Sequence, residues 1–131
     1  MLKTRPNSQE FLTNKRMLLV VAPILPGKAE AWRRFMQEMG ESRRREYEAS
    51  RRRLGIRTER AWISETRRRT IGIILIEADH LEQALAALAT SDYPFDCWFR
   101  EQLLILQGVD LTRPDPALRP DLVFAWQSDE G

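Results

Sequence analysis

The sequence carries one imidazole, His80, and one thiol, Cys97. An imidazole titrates near neutral pH and can move protons, but His80 directly follows Asp79 at a predicted helix start, where such a side chain normally serves as a surface or capping group. Cys97 lies between Asp96 and Trp98 with no basic neighbour in sequence to lower its pKa, so it reads as a small buried side chain rather than a nucleophile. One cysteine excludes an internal disulfide, and one histidine leaves no Cys/His cluster for zinc. No metal or other cofactor is expected, and the cysteine usage fits a reducing cytoplasm. Gly27-Lys28 lacks the preceding glycine that a phosphate-cradling loop requires.

A more specific arrangement runs along a helix predicted from Ala29 to Leu54. Trp32, Phe35, Met36 and Met39 recur at helical spacing and form its apolar stripe. At 3.6 residues per turn the stripe continues through Arg43, Glu46, Tyr47, Ser50 and Leu54, which are mostly polar. Two readings follow. The helix, about 39 Å long at 1.5 Å per residue, overshoots the sheet and these residues are wet. Alternatively, Arg43 and Tyr47 line a pocket with Trp62 or Trp98 as its wall, Arg43 binding an anionic or carbonyl-bearing group and Tyr47 supplying a hydrogen bond. Arg43, Tyr47, Trp62, Trp98 and His80 are therefore the candidate ligand-binding residues, with the tryptophans also readable as plain core.

Charge narrows the choice of partner. Lys plus Arg number 21 against 19 Asp plus Glu, a net charge of +2, and Arg outnumbers Lys 18 to 3. The triplets Arg43–Arg45, Arg51–Arg53 and Arg67–Arg69 invite a nucleic-acid reading. Glu41, Glu46 and Glu48 neutralise the first two, and on the helix Glu30 and Arg34, Glu41 and Arg45, and Glu48 and Arg52 stand four residues apart, acid first. A solvated, ion-paired face explains these charges without nucleic acid. No apolar run approaches the roughly 18 residues of a membrane span.

These residues must be held by a sheet. Ile71 to Ile76 is aliphatic at every position but Gly72, and Met17 to Ile24 is nearly as continuous, so both predict strands buried on both faces. Lys15 and Arg16 before the second of these runs, with Ala29-Glu30-Ala31 after it, also sketch a secretory signal, but the run is short and interrupted by Pro23. Ile56 to Glu65 mixes charge with apolar residues as an edge strand does, turning its Ile56, Thr58, Arg60, Trp62 and Ser64 one way and the alternate residues the other. Thr66 to Arg69 closes a hairpin. Asp79 with Glu82 caps a helix carrying Leu81, Ala84, Leu85 and Leu88; a further helix after Pro94 carries Phe95, Trp98, Phe99, Leu103 and Leu106. Gly55 and Gly108 end helices. Pro114, Pro116 and Pro120 mark a loop, and Leu122 to Trp126 a last strand. Residues 1–15 read as a mobile arm, 16–127 as one domain and 128–131 as a polar tail.

The order strand, helix, two strands, helix pair, strand predicts an α+β, ferredoxin-like βαββαβ domain. Its four-stranded antiparallel sheet has the first and third strands central and all helices on one face. The central strands are aliphatic on the other face as well, and each such side chain left in water forgoes roughly 1.5 to 3 kcal/mol of burial. That face predicts a homodimer packed sheet against sheet.

Ile24-Leu25-Pro26-Gly27-Lys28, leading from a strand into a helix with Trp32 and Phe35, resembles the dimeric α/β-barrel superfamily. Within it, Pro94-Phe95-Asp96, Trp98-Phe99-Arg100 and Gly108-Val109-Asp110-Leu111 are similar to bacterial members of unknown function. The resemblance implies a homodimeric barrel, often with a small-molecule pocket between sheet and helices. Its haem-degrading members use an Asn near the first strand, a Trp and a His on the second helix. Here Asn14, Trp62 and His80 are the counterparts, with His80 displaced from the position that ligates iron. The expected function is a homodimeric small-ligand-binding or scaffold protein. The alternative is a cofactor-free, monooxygenase-like enzyme acting on a small aromatic or carbonyl compound.

Overall fold

The computed structural model describes residues 16–113 and 120–129. The arm assigned to residues 1–15 therefore lies outside the described residues, as does Asn14. Three strands, β1 (Met17–Pro23), β2 (Ile56–Glu65) and β3 (Thr70–Ala78), form an antiparallel sheet in the order β1-β3-β2. Among the described residues four helices accompany them: α1 (Ala29–Gly40), α2 (Arg44–Leu54), α3 (Leu81–Thr90) and α4 (Pro94–Gln107). The aliphatic run of β3 is central, as its two apolar faces require. β1 is not: Leu122 to Trp126, expected beside it as a fourth strand, pairs with no strand among the described residues and is exposed.

One sheet face meets the helices. Leu18, Val20 and Ala22 of β1 and Ile74, Ile76 and Ala78 of β3 are buried against Trp32, Phe35 and Met39 of α1, Leu81, Ala84 and Leu88 of α3, and Phe95, Phe99, Leu103 and Leu106 of α4. Polar atoms inside this core are paired. Trp32 Nε1 donates to Gln107 Oε1 at 2.9 Å, and Gln107 Nε2 donates to the carbonyl oxygens of Ala22 at 2.9 Å and Gly72 at 3.2 Å, tying α4 to both strands. The contact explains Gly72, since a Cβ there would lie 2.7 Å from Gln107 Nε2 and 3.0 Å from the Trp32 ring.

The long helix is two helices. Around Gly40 to Arg43 the backbone bonds span three and five residues: Glu41 N donates to Glu38 O at 3.2 Å, Arg43 N to the same oxygen at 2.8 Å and Arg44 N to Glu41 O at 3.2 Å. A straight continuation would carry Arg43 and Glu46 along the apolar stripe at the cost of burying them; the turn re-aims α2 so that Arg51 joins Ser50 and Leu54 on the inward face. Gly55 and Gly108 end α2 and α4 in the left-handed conformation, at φ 77° and 68°.

Local charges also settle differently from their spacing. None of the three acid-first pairs forms; Arg33 bonds Glu65 across to β2, and Arg44 pairs with Glu48 at 3.1 Å. Asp79 does not cap α3. Its carboxylate is drawn to Arg57 at 3.1 Å, and His80 takes the cap position without a side-chain cap bond. A bulge between Ile56 and Thr58 turns Ile56 onto the helix side, opposite Ala78, rather than alongside Trp62.

Candidate functional site

Re-aiming α2 brings a charged residue into the core. The Arg51 and Glu59 side chains are each 6% exposed, and Arg51 Nε and Nη2 donate to the two oxygens of Glu59 at 2.8 and 3.3 Å. Tyr47, one turn earlier on α2, donates its hydroxyl to Glu59 Oε1 at 2.8 Å. The Arg51 guanidinium also lies over the rings of Phe99, at 4.3 Å, and Tyr47, at 4.9 Å. Burial works against its charged form, but the adjacent Glu59 carboxylate outweighs that and holds it firmly protonated. Tyr47 is pushed well above the ordinary phenol range, by burial first and by the charge of Glu59 second.

The network extends to α4. Arg51 Nη1 donates to Ser50 Oγ at 3.0 Å, Ser50 Oγ donates to Asp96 Oδ1 at 2.5 Å, and Arg53 and Ser91 donate to Asp96 Oδ2. Asp96 is fully buried. Burial raises its pKa, yet hydrogen bonds from Ser50, Ser91 and Arg53, with the Arg53 charge, hold it below the usual carboxylate range. Among the described residues no buried side-chain polar atom lacks a partner. The network therefore locks α2, β2 and α4 together, and both Glu59 oxygens are engaged.

Beside it opens a cleft of about 350 Å³ between α1, α2 and β2. Met36, Met39 and Ala61 form its apolar part, the Tyr47 and Glu59 side chains one wall, and Arg44 and Glu48 the polar rim. A second cleft of about 400 Å³ lies between Pro23–Gly27 and the Thr66–Arg69 turn.

The predicted site residues divide. Tyr47 lines the first cleft. Arg43 does not; its guanidinium sits 4.1 Å over the Trp98 ring and its Nε donates to Glu38 at 3.3 Å. Trp98 packs edge-on against Phe35, ring centroids 5.3 Å apart, so it supports the core beneath Arg43 rather than walling the cleft. Trp62 is 47% exposed and pairs across from Ile73, on the sheet face away from the helices. His80 is exposed at the start of α3. Cys97 is exposed rather than buried, its Sγ 3.5 Å from Arg100 Nη2. Arg51, Glu59 and Asp96 were the residues that periodicity missed, whereas Ser50 lay on the predicted stripe and is buried. A signal existed for Asp96, since at helical spacing it shares the inward stripe of Phe99 and Leu103; Arg51 looked like one of three solvated arginines.

The register also defines the sheet face that no helix covers among the described residues. Residues opposite one another in antiparallel strands point to the same side, so Val21, Ile73 and Trp62 form one row and Leu19, Leu75 and Arg60 the next. Pro23, Ile71 and Ser64 flank them on one side, and Met17, Glu77 and Thr58 on the other. Among the described residues no group of three or more His, Cys, Asp or Glu side chains is placed to hold a metal ion, and no helix is long and apolar enough to cross a membrane. Comparison with protein-family models, curated proteins and solved structures finds no match to this chain.

Proposed function

We propose that this chain is a homodimeric, small-ligand-binding protein whose two sheets pack face to face, in the manner of a dimeric α/β barrel. The observation that supports this reading is the uncovered sheet face. Val21, Leu19, Ile71, Ile73, Leu75 and Trp62 make a contiguous apolar surface broken by Arg60 and Glu77 near one end. At roughly 25 cal/mol per Å² of apolar area removed from water, covering such a face drives association, and a two-fold axis lets one surface cover itself. The same reading gives each sheet four strands in the ferredoxin-like order, which needs a strand beside β1.

The cleft between α1, α2 and β2 is the ligand site of this reading. Its methionines adapt to a small apolar or aromatic body, and Arg44, paired with Glu48 at its rim, suits a carboxylate or carbonyl group. Tyr47 and Arg51 both donate to Glu59, which favours holding a ligand over moving its protons.

Size-exclusion chromatography with light scattering tests the dimer. The expected result is a dimer at micromolar concentration that Ile73→Arg converts to monomer or aggregate, because a buried unpaired charge costs several kcal/mol. A wild-type monomer, or an Ile73→Arg dimer as tight as wild type, refutes the reading. Titration with small aromatic carboxylates should shift NMR signals of Met36, Met39 and Tyr47; no shift there removes the ligand site.

A further inference from the structure

The free edge of β1 is flanked by apolar surface in both layers of the fold. Ile24 N donates to Thr70 O at 2.9 Å and Ala78 N to Arg16 O at 3.0 Å, with one-to-one register between. Even-numbered residues of β1 therefore turn their backbone groups toward β3, and Met17, Leu19, Val21 and Pro23 turn theirs outward. Among the described residues no strand lies on that side. An N–H and C=O row of this kind is a template for another strand. Pro23, which has no N–H to offer, sets its limit.

The helical layer is also unfinished here. The carbonyl of Leu106 accepts from Leu25 N at 2.8 Å just beyond β1, placing the last turn of α4 at the end of this edge. On that part of α4, Leu104 and Ile105 are 49% and 45% exposed. In the other layer, Leu19 and Val21 lie on the uncovered face. A strand added to β1 would have apolar surface to meet on both sides.

The chain itself carries an exposed apolar run. In Leu122-Val123-Phe124-Ala125-Trp126, Val123 is 90% exposed, Phe124 80% and Trp126 76%. As a strand it would turn Leu122, Phe124 and Trp126 to one face and Val123 and Ala125 to the other.

The geometry points to this run as the fourth strand on the β1 edge of a second copy, each copy lending Leu122–Trp126 to its partner. The inference rests on the homodimer proposed above and adds the exchanged strand. Edge and run occur on one chain, so a two-fold axis satisfies both reciprocally. Within a single copy the run stands in water although α4 delivers the chain beside its own edge. The edge is continuous with the apolar face of the proposed dimer.

Residue-resolved amide exchange on the full chain, above and below the dimer midpoint, tests this. The amides of Leu18 and Val20 bond to β3 in every case and serve as the internal control. Those of Leu19 and Val21 should exchange at least about tenfold more slowly in the dimer than in the diluted monomer. The double variant Phe124→Asp/Trp126→Asp, altered only at exposed positions, should abolish that slowing while the control amides stay protected. A dimer in which Leu19 and Val21 exchange fast overturns the exchanged strand and leaves face-to-face packing standing. Slow exchange in the monomer means the chain completes its own sheet, which overturns the second copy as donor. Absence of any dimer overturns both readings.

Discussion

Replacing Glu59 by Gln keeps the shape of the buried network and removes its charge, so it isolates what the Arg51–Glu59 pair contributes. Arg51 would be left charged, 5% exposed, with no carboxylate and only an amide oxygen and Ser50 Oγ to receive it. Breaking a buried pair by removing one partner costs about 3–5 kcal/mol, and the retained hydrogen bond places this variant near the lower end. Folded domains have about 5–15 kcal/mol in total, so the loss is a large share. With a urea m-value near 2 kcal/mol per molar, a loss of about 3 kcal/mol lowers the unfolding midpoint by about 1.5 M. The assay is urea unfolding by circular dichroism at fixed protein concentration, because association would otherwise shift the midpoint. Arg51→Met/Glu59→Leu is the companion, and since replacing both charges by apolar groups is often neutral or stabilising, it should recover most of the loss. Arg44→Ala, which removes the exposed pair with Glu48, serves as the surface control and should change stability by less than about 1 kcal/mol. If Glu59→Gln costs no more than that control, Arg51 reaches water or another acceptor and the network does not lock α2 to β2.

Gly72→Ala should destabilise by about 1–3 kcal/mol, because its Cβ would displace the Gln107 amide from the carbonyls of Ala22 and Gly72; a neutral or raised melting temperature would show that α4 yields without loss. For Asp96 the folded carboxyl is held below its usual range, so its stabilising contribution is present above the unfolded value near pH 4 and is lost as pH falls through the folded one. Asp96→Asn should therefore be less stable at neutral pH and show a shallower loss of stability below about pH 4; an unchanged acid limb in urea midpoints against pH would assign that limb to other carboxylates.

The elements that local chemistry specifies were legible in the sequence. β2 and β3 occupy the predicted residues, with the Thr66–Arg69 turn between them, because alternation and an aliphatic run bounded by turn residues are strand signals that need no partner to be read. Gly55 and Gly108 stop α2 and α4 for an equally local reason, a backbone conformation that side chains resist. The apolar stripe of α1 was readable by period alone, and its Trp32, Phe35 and Met39 are core. Spacing could not show that the helix breaks at Gly40, because what turns α2 is the cost of burying Arg43 and Glu46 against a surface whose position only the fold sets. Nor could spacing distinguish Arg51 from Arg52 and Arg53. Arg51 is buried because β2 brings Glu59 and α4 brings Phe99 to it, contacts 8 and 48 residues away in sequence. The same holds for the candidate site: Tyr47 was found from the stripe, whereas Arg43 and Trp98 were drawn into a stack with each other. The sheet edge was likewise a tertiary decision. The doubly apolar run of β1 predicted a central strand, but a strand becomes central only when a neighbour pairs on each side, and Leu122 to Trp126 stays off that edge in the single chain.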